Sequence, residues 1–395
     1  MQCRDWKTLQ KSEVREAIAE LGEACLDCIV KIIISIFIFV LLLFLEQGNA
    51  QVGFSIVGGG SYATDINDNG TLVGGMNTGG YWDARGILFS NGVRSTASSY
   101  YNQDHNSNYP AWTTAVSAIN NLGQWGGIYG TGGVAFQFSG SFPINNPTGE
   151  YATVNAINDS GTAVGSNNQN PKARVWTSTG SSWLVGLDGI RPSNPYMASD
   201  VARSAAYDIN NSGLIVGDSE PYYTSLGTPR KAVYWQSGSI FTIGTLGGEY
   251  SSARGVNNNN LIVGASDTIT ERHAFSYLNG SLLDLGTLGG TESVAFDVND
   301  NGWIVGKSKT LAGDWAGFVY KDSLMYDLNS WLEPSLRDGW TISEAVSINE
   351  NGQIAANGTK NGTSSALFIT IPEPSALSLL AVGLGGLAMM RRRRS

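Results

Sequence analysis

Cysteine, histidine and charged residues are scarce in this chain of 395 residues. The only cysteines, Cys3, Cys25 and Cys28, lie at the extreme N-terminus, so the rest of the chain has no disulfide framework and no cysteine nucleophile or metal cluster. The two histidines, His105 and His273, form no HExxH pair, and the sequence lacks a Gly-x-Ser-x-Gly elbow and a phosphate-binding loop. These absences argue against zinc hydrolases, serine hydrolases and nucleotide-binding proteins.

The composition that remains favours a strand-rich fold. Glycine occurs 50 times, 42% of residues are hydrophobic and 14% are charged. Glycine and asparagine in such numbers suit short strands joined by tight turns better than long helices. Between residues 51 and 370, 25 acidic residues outnumber 15 lysines and arginines. An acidic surface of this kind argues against nucleic acid and anionic lipid surfaces as partners.

The N-terminus carries the pattern of an export signal. Residues 32–45 are an unbroken run of apolar or small residues that follows Lys31. The run is too short to span a bilayer comfortably, and the small residues Gly48 and Ala50 follow it. We therefore predict a signal peptide over residues 1–50, with a long leading region and cleavage after Ala50. An uncleaved anchor is the alternative.

The C-terminus, residues 371–395, combines three features in a fixed order. A Pro-Glu-Pro motif precedes a short apolar stretch at 376–390, and an arginine cluster follows it. The residues of the two motifs are Pro372, Glu373, Pro374, Arg391, Arg392, Arg393 and Arg394. The arrangement resembles the PEP-CTERM sorting signal, and an ordinary tail anchor is the alternative. The resemblance implies processing by an exosortase-type enzyme, transient anchoring in the inner membrane, and export to the surface of a bacterium that makes exopolysaccharide.

One ten-residue pattern recurs seven times between the two signals. Each copy has an apolar residue, an asparagine, a polar turn that usually contains glycine, and a short apolar run that usually ends in glycine, as in DINDNGTLVG. The anchoring asparagines are Asn67, Asn120, Asn158, Asn210, Asn257, Asn299 and Asn349. Their mean spacing of about 47 residues falls in the range of propeller blades.

Each copy is consistent with four strands, of which the first two flank the asparagine turn. The last copy runs out after its third strand at 366–369, whereas residues 54–60 resemble an isolated fourth strand. We therefore predict an all-β, seven-bladed propeller of four-stranded blades over residues 51–370. Its N-terminal strand would complete the last blade and remove the free sheet edges.

Residues 273–308 carry a further resemblance, to the HAF-type extracellular repeat. They read HAFSYLNGSLLDLGTLGGTESVAFDVNDNGWIVGKS, and residues 244–264 keep the same pattern from its Gly-Thr-Leu-Gly-Gly segment onward. The other copies keep the asparagine turn and its apolar run. The resemblance implies export and a repeated β structure, and it brings no reaction with it.

Two turns raise the question of calcium. The segments at 65–70 and 297–302 read Asp-x-Asn-x-Asn-Gly, which is the first half of a calcium loop. The twelfth position, where a bidentate glutamate would complete the site, is Met76 in one and Ser308 in the other. A hairpin turn explains both segments better, so we expect no cofactor and no metal.

Aromatic residues cluster in the insertions between repeats. They are Tyr100, Tyr101, Tyr109, Trp112, Tyr222 and Tyr223. Such rings stack on sugars, so we expect these loops to bind ligand if any part of the chain does. We predict no catalytic residue, and we favour a non-catalytic binding or structural protein associated with exopolysaccharide. The alternative is a polysaccharide hydrolase or lyase with carboxylates from different blades at the channel.

Overall fold

A computed structural model of the chain describes residues 53–77, 84–96, 114–129, 133–137, 152–167, 172–189, 203–221, 228–332 and 339–371. Residues Val52–Ile371 form one compact unit. The predicted signal peptide and the predicted sorting signal lie outside the described residues. Within the described ranges, no helix is long and apolar enough to cross a membrane.

Within the described ranges, antiparallel strands account for nearly all regular structure, and they recur in groups that follow the repeats. The first three repeats contain β2 (Ser61–Ile66), β3 (Leu72–Asn77), β4 (Ala84–Ser90), β5 (Val93–Thr96), β6 (Thr114–Ile119), β7 (Trp125–Tyr129), β8 (Gly133–Gln137), β9 (Ala152–Ile157), β10 (Ala163–Asn167), β11 (Ala173–Thr177) and β12 (Gly180–Trp183). The next two contain β13 (Ser204–Ile209), β14 (Ile215–Ser219), β15 (Lys231–Gln236), β16 (Ser239–Gly244), β17 (Ser251–Val256), β18 (Ile262–Asp267), β19 (Arg272–Leu278) and β20 (Ser281–Gly286). The last two contain β21 (Gly289–Val298), β22 (Ile304–Thr310), β23 (Trp315–Lys321), β24 (Leu324–Asp327), a 3-10 helix (Leu328–Trp331), β25 (Trp340–Ile348), β26 (Gln353–Lys360) and β27 (Thr363–Thr370), and β1 (Gly53–Gly59) precedes them all.

The sheets show an all-β propeller with four-stranded blades, and they also correct the predicted blade form. Four separate four-stranded sheets are present in the described residues, rather than seven: β2–β5, β9–β12, β13–β16, and β25–β27 with β1. Strands β17–β24 share one eight-stranded sheet because the long strand β21 makes a parallel bridge to β19, between Glu292 and Arg272. Strands β6–β8 form a three-stranded sheet, and the residues that follow Gln137 lie outside the described ranges.

The N-terminal strand joins the last sheet, as the sequence predicted. Strand β1 pairs antiparallel with β27, from Gly53 opposite Thr370 to Gly59 opposite Ser365. Without β1 the outer edge of β27 would present unpaired backbone groups to the solvent. The two ends of this unit are therefore held in one sheet by backbone hydrogen bonds.

The hydrophobic core lies between neighbouring sheets. In the described residues, the first three strands of the repeats supply it, because their apolar side chains face residues of the adjacent repeat. In one core cluster, Val164 of the third repeat packs with Ala206, Val233 and Trp235 of the fourth. The tryptophans of the third strands, Trp176 and Trp235, are almost fully buried. This packing sets the first strands of the repeats side by side around a common centre. We call these first strands, β2, β6, β9, β13, β17, β21 and β25, the inner strands.

Candidate functional site

The asparagine of each repeat organises the turn between its first two strands. The Asn67 side-chain oxygen accepts a hydrogen bond from the Thr71 backbone N–H at 2.9 Å, and the Gly70 N–H donates to the Asn67 carbonyl at 2.9 Å. Gly70 has the positive φ of 72° that this loop requires, and Asn260 takes that place in the fifth repeat with a φ of 63°. The predicted turn is confirmed, but the anchoring asparagine serves as a side-chain acceptor rather than as the residue with positive φ.

The other side of each anchoring asparagine links the repeats into a closed ring. Its side-chain N–H donates to the backbone carbonyl of the anchoring asparagine in the next repeat, at 2.8 to 3.1 Å. The donors, in order around the ring, are Asn67, Asn120, Asn158, Asn210, Asn257, Asn299 and Asn349. The seventh asparagine donates back to the carbonyl of Asn67 at 2.9 Å, so the array is circular.

A second ring lies one residue further along. The backbone N–H of each residue that follows an anchoring asparagine donates to the side-chain oxygen of its counterpart in the next repeat. The members are Asp68, Asn121, Asp159, Asn211, Asn258, Asp300 and Glu350. Burial, with the neighbouring charges of Asp300 and Asp68, raises the pKa of Glu350 to about 7. The two rings line a narrow compartment of about 160 Å³.

The calcium hypothesis can be compared with the contacts at the two turns. The Asp65 carboxylate accepts bonds from the Ile66 and Ile119 N–H groups at 2.8 Å, and the Asn67 oxygen is bonded to the N–H of Thr71. The Asp297 carboxylate accepts bonds from the equivalent N–H groups, those of Val298 and Ile348. In the described part of the chain, no three histidine, cysteine or acidic residues are grouped as metal ligands. These oxygens are thus engaged with backbone N–H groups, some of their own repeat and some of the next one.

Three residues before each anchoring asparagine, the inner strand has a β-bulge. The register shifts at this position in all seven repeats. The bulge explains the glycine that ends six of the seven apolar runs, because that glycine lies opposite the bulge. A Cβ atom on Gly217, for example, would lie 1.9 Å from the Ala205 carbonyl oxygen. A bulge leaves its residue outside the ladder and re-aims the side chain.

The bulge residue is different in every repeat. The seven are Thr64, Ser117, Asn155, Tyr207, Arg254, Phe296 and Val346. All of them line one cavity of about 640 Å³, which we call the central chamber, together with further residues that include Tyr62, Glu344 and Asn357. The repeats therefore share their framework and vary where they face the chamber.

The short polar bulge residues are used by the fold. Thr64, Ser117 and Asn155 each donate a side-chain hydrogen bond to a backbone carbonyl of the following repeat. The larger bulge residues, Tyr207, Arg254 and Phe296, belong to three consecutive repeats. The aromatic and cationic side of the chamber therefore lies on the fourth to sixth repeats.

Two aspartates and a serine form the boundary between the chamber and the narrow compartment. Asp65 and Asp297, with Ser347, line both cavities. The Ser347 Oγ lies 2.8 Å from Asp65 Oδ1 and 2.8 Å from Asp297 Oδ2. A hydroxyl has one proton to donate, so one of the two carboxyl groups must supply a proton for both contacts to be hydrogen bonds.

Burial favours this shared proton. It raises the pKa of Asp65 to about 7, and the charge of Asp297 adds to the effect. It also raises the pKa of Asp208 to about 7, again with a contribution from Asp297. The pKa of Asp297 itself is raised by burial. Each of the three also accepts a backbone N–H bond from the next repeat, so the acids link neighbouring repeats. We call the side of the chamber that they line its floor.

The predicted ligand-binding residues are not among those that can be placed. Tyr100, Tyr101, Tyr109, Trp112, Tyr222 and Tyr223 lie outside the described residues, as do Pro372, Glu373, Pro374, Arg391, Arg392, Arg393 and Arg394. None of the seven bulge residues that line the chamber was predicted from the sequence. The available signal was that the position three residues before the asparagine carries seven different residue types in otherwise similar copies.

Comparison with known proteins supports the C-terminal prediction. A sequence profile for the PEP-CTERM protein-sorting motif matches residues 370–394. The chain therefore ends in a PEP-CTERM sorting motif, which marks an exported protein with a membrane-anchoring sorting signal that exosortase recognises. No curated protein sequence matches the chain.

Several solved structures share a broadly similar arrangement at low identity. The structure titled "YCF48 bound to D1 peptide" has 11% identity and a TM-score of 0.45, and the match covers 82% of this chain and 96% of that one. The β-propeller domain of the trilobed protease from Pyrococcus furiosus has 10% identity and a TM-score of 0.42, with 79% and 96% covered. TolB from Acinetobacter baumannii has 9% identity and a TM-score of 0.36, with 77% and 64% covered. At these values the similarities carry no argument about function, and the fold rests on the strand pairing described above.

Proposed function

We propose that this exported chain is a non-catalytic binding protein of the cell surface or extracellular matrix, and that its central chamber holds a segment of exopolysaccharide. One observation carries the proposal: the seven repeats differ at the residue that lines the chamber while their framework is shared. Closure of the ring does not by itself require large aromatic and cationic side chains such as Tyr207, Arg254 and Phe296 at a bulge. Aromatic rings beside hydroxyl, amide and carboxyl groups are the chemistry that recognises sugars.

We propose further that the propeller has seven blades. The ring of seven asparagines supports this number, because each member belongs to one repeat. The eight-stranded sheet then counts as two blades, and the sheet of β6–β8 as one blade of which three strands lie within the described residues. On this view residues 51–370 are HAF-type repeats between a signal peptide at 1–50 and the sorting signal at 371–395.

The connectivity also favours a role for the aromatic insertions. The segments with Tyr100, Tyr101, Tyr109 and Trp112 lead into β6, the inner strand of the second repeat. In the first repeat the start of the inner strand faces the chamber, since Tyr62 and Ala63 near the start of β2 line it. We propose that these tyrosines, with Tyr222 and Tyr223, extend the chamber site outward.

A glycan array tests the binding proposal. The full-length protein, purified in mild detergent, is applied with two matched variants, Phe296→Ser in the chamber and Phe241→Ser on an outer strand, where Phe241 is 43% exposed. We expect carbohydrate binding by the wild type and by Phe241→Ser, and about tenfold weaker binding by Phe296→Ser, the loss expected for one aromatic contact. Absence of binding to any glycan, or equal binding by both variants, would overturn the proposal.

The alternative, a polysaccharide hydrolase or lyase, is favoured by one specific contact. The Asp65 and Asp297 oxygens that share Ser347 are at most about 5.6 Å apart, close to the separation of the two carboxyl groups in retaining glycosidases. Against it, both acids bond to the backbone of the next repeat. Release of reducing ends by the wild type, and its loss in Asp297→Asn, would establish the enzyme. We expect no release.

A further inference from the structure

The charged side chains that line the central chamber differ in whether they have hydrogen-bond or ion-pair partners within the protein. Five charged residues line it: four carboxylates and one arginine. Asp65, Asp208 and Asp297 each accept two backbone N–H bonds. The fourth, Glu344, accepts from Lys307 Nζ at 3.3 Å and from Asn357 Nδ2 at 3.0 Å. Every lining carboxylate thus has protein partners already.

Arg254 does not. Its Nε is buried without a hydrogen-bond partner, and among the described residues its guanidinium has neither a hydrogen bond nor an ion pair. Its contact is with the face of Tyr207, whose ring centre lies 4.1 Å from the guanidinium carbon. The Tyr207 hydroxyl donates to the buried Asp218 at 3.1 Å, so the ring is fixed in place beneath the arginine. Other arginines have acids close by, such as Arg230 with Asp218 at 3.0 Å.

A guanidinium that is oriented by a stacked ring but lacks an acceptor is prepared for an anion from outside. Arginine presents its N–H groups in a planar fork that matches the two oxygens of a carboxylate. Stacking on tyrosine removes freedom that the side chain would otherwise lose on binding. A partly buried cation without a partner also gains more from an anionic ligand than an exposed one does.

The acids at the chamber floor oppose an anion less than their number suggests. Burial raises the pKa of Asp65 and of Asp208 to about 7, so near neutral pH both carry only part of a charge. It raises the pKa of Asp297 as well, and that carboxylate accepts two backbone N–H bonds and lies against the Ser347 hydroxyl. The remaining wall carboxylate, Glu344, faces Lys307. The wall on the fifth repeat is therefore the cationic side of the chamber.

From this geometry we infer that the chamber is specific for an acidic sugar, a uronic acid residue whose carboxylate binds Arg254 and whose ring packs near Tyr207 and Phe296. The inference rests on the proposed function and narrows its ligand class. It separates two kinds of exopolysaccharide, since a neutral polymer offers the guanidinium only hydroxyl and ring oxygens and no anionic group to pair with.

Calorimetric titration with a matched pair of probes tests it. The full-length protein is titrated with an oligogalacturonate and with the same oligomer after reduction of its carboxyl groups, which removes the charge and keeps the sugar. We expect the acidic probe to bind at least about tenfold more tightly, the worth of one good charge-assisted contact. This comparison uses the wild type and does not depend on the folding of any variant.

Three variants refine the assignment. Arg254→Met is expected to weaken oligogalacturonate binding about tenfold and to leave the reduced probe within about twofold. Arg254→Lys keeps the charge without the fork and should fall between the two. Lys321→Met, in which a lysine over Trp303 outside the chamber is lost, is the control and should bind as the wild type does.

The outcomes distinguish the two proposals. Equal binding of both probes, or tighter binding of the reduced one, overturns the acidic-sugar inference and leaves carbohydrate binding standing. Unchanged oligogalacturonate binding by Arg254→Met overturns the assignment to Arg254. Failure of both probes, together with a blank glycan array, overturns the proposed function and this inference with it.

Discussion

The contacts of the asparagine ring predict how much stability is lost when one side-chain nitrogen is replaced by oxygen. In Asn210 the side-chain oxygen accepts from the Ser212 N–H, the Ser212 hydroxyl and the Leu214 N–H. The side-chain nitrogen donates to the Asn257 carbonyl at 3.0 Å and to the Asn260 side-chain oxygen at 2.9 Å. Replacement by aspartate keeps the shape and the three accepted bonds, and it removes the two donated ones.

The cost follows from burial. Asn210 is 4% exposed, so the new oxygen would face two acceptors away from water. Two lost hydrogen bonds are worth about 1 kcal/mol each, and a buried charge without a partner adds to that. We expect Asn210→Asp to lower the free energy of unfolding by about 3 kcal/mol at pH 7, and by less in acid, where the aspartate takes up a proton.

Urea unfolding followed by tryptophan fluorescence measures the difference. The matched control is Asn279→Asp, a turn residue with a φ of 50° that aspartate tolerates. Its free energy of unfolding should stay within about 0.5 kcal/mol of the wild type, the usual range for surface changes. If the two variants unfold at the same urea concentration, the ring does not stabilise the propeller and the reasoning fails.

Four further perturbations test other parts of the fold. Because burial raises the pKa of Asp208 and Glu350 to about 7 from ordinary values of 3.8 and 4.5, the folded protein holds more protons than the unfolded chain between about pH 4 and 7. Stability should then fall as pH rises through that window, and a melting temperature at pH 8 equal to that at pH 5 would contradict this. Gly217→Ala places a Cβ 1.9 Å from a backbone oxygen and should cost about 2 to 3 kcal/mol in urea unfolding, whereas Ala356→Gly, at the same register in the last repeat, should cost about 1. Deletion of β1 exposes the edge of β27, so light scattering should detect self-association, and a monomer of unchanged melting temperature would count against the closure. Calcium should not shift the melting temperature by more than about 1 °C relative to EDTA, whereas a rise of about 5 °C would indicate a bound ion.

Much of the architecture could be read from the sequence because it is local. Asn67 and its six counterparts mark the turn between two strands, and the chain within ten residues of each settles that turn. The pairing of β1 with β27 could also be predicted, because the last repeat lacks a fourth strand and the segment before the first repeat resembles one. The sorting motif is a contiguous segment and needs no fold to be recognised.

The candidate site could not be read in this way. Asp65 and Asp297 are 232 positions apart in sequence, and only closure of the ring places both beside Ser347. In the sequence, the segments that begin at Asp65 and Asp297 were explained as hairpin turns, but each carboxylate also accepts a hydrogen bond from the backbone of the next repeat, and that contact requires the folded ring.

The sequence by itself thus determined that short strands alternate with asparagine turns in seven copies and that the chain is exported. The tertiary structure decided what those copies enclose. A bulge in each inner strand points one residue at a common centre, so Tyr207, Arg254 and Phe296 line one chamber although about 45 residues separate each from the next. Convergence of this kind depends on the curvature of the whole ring, which no segment of the chain encodes alone.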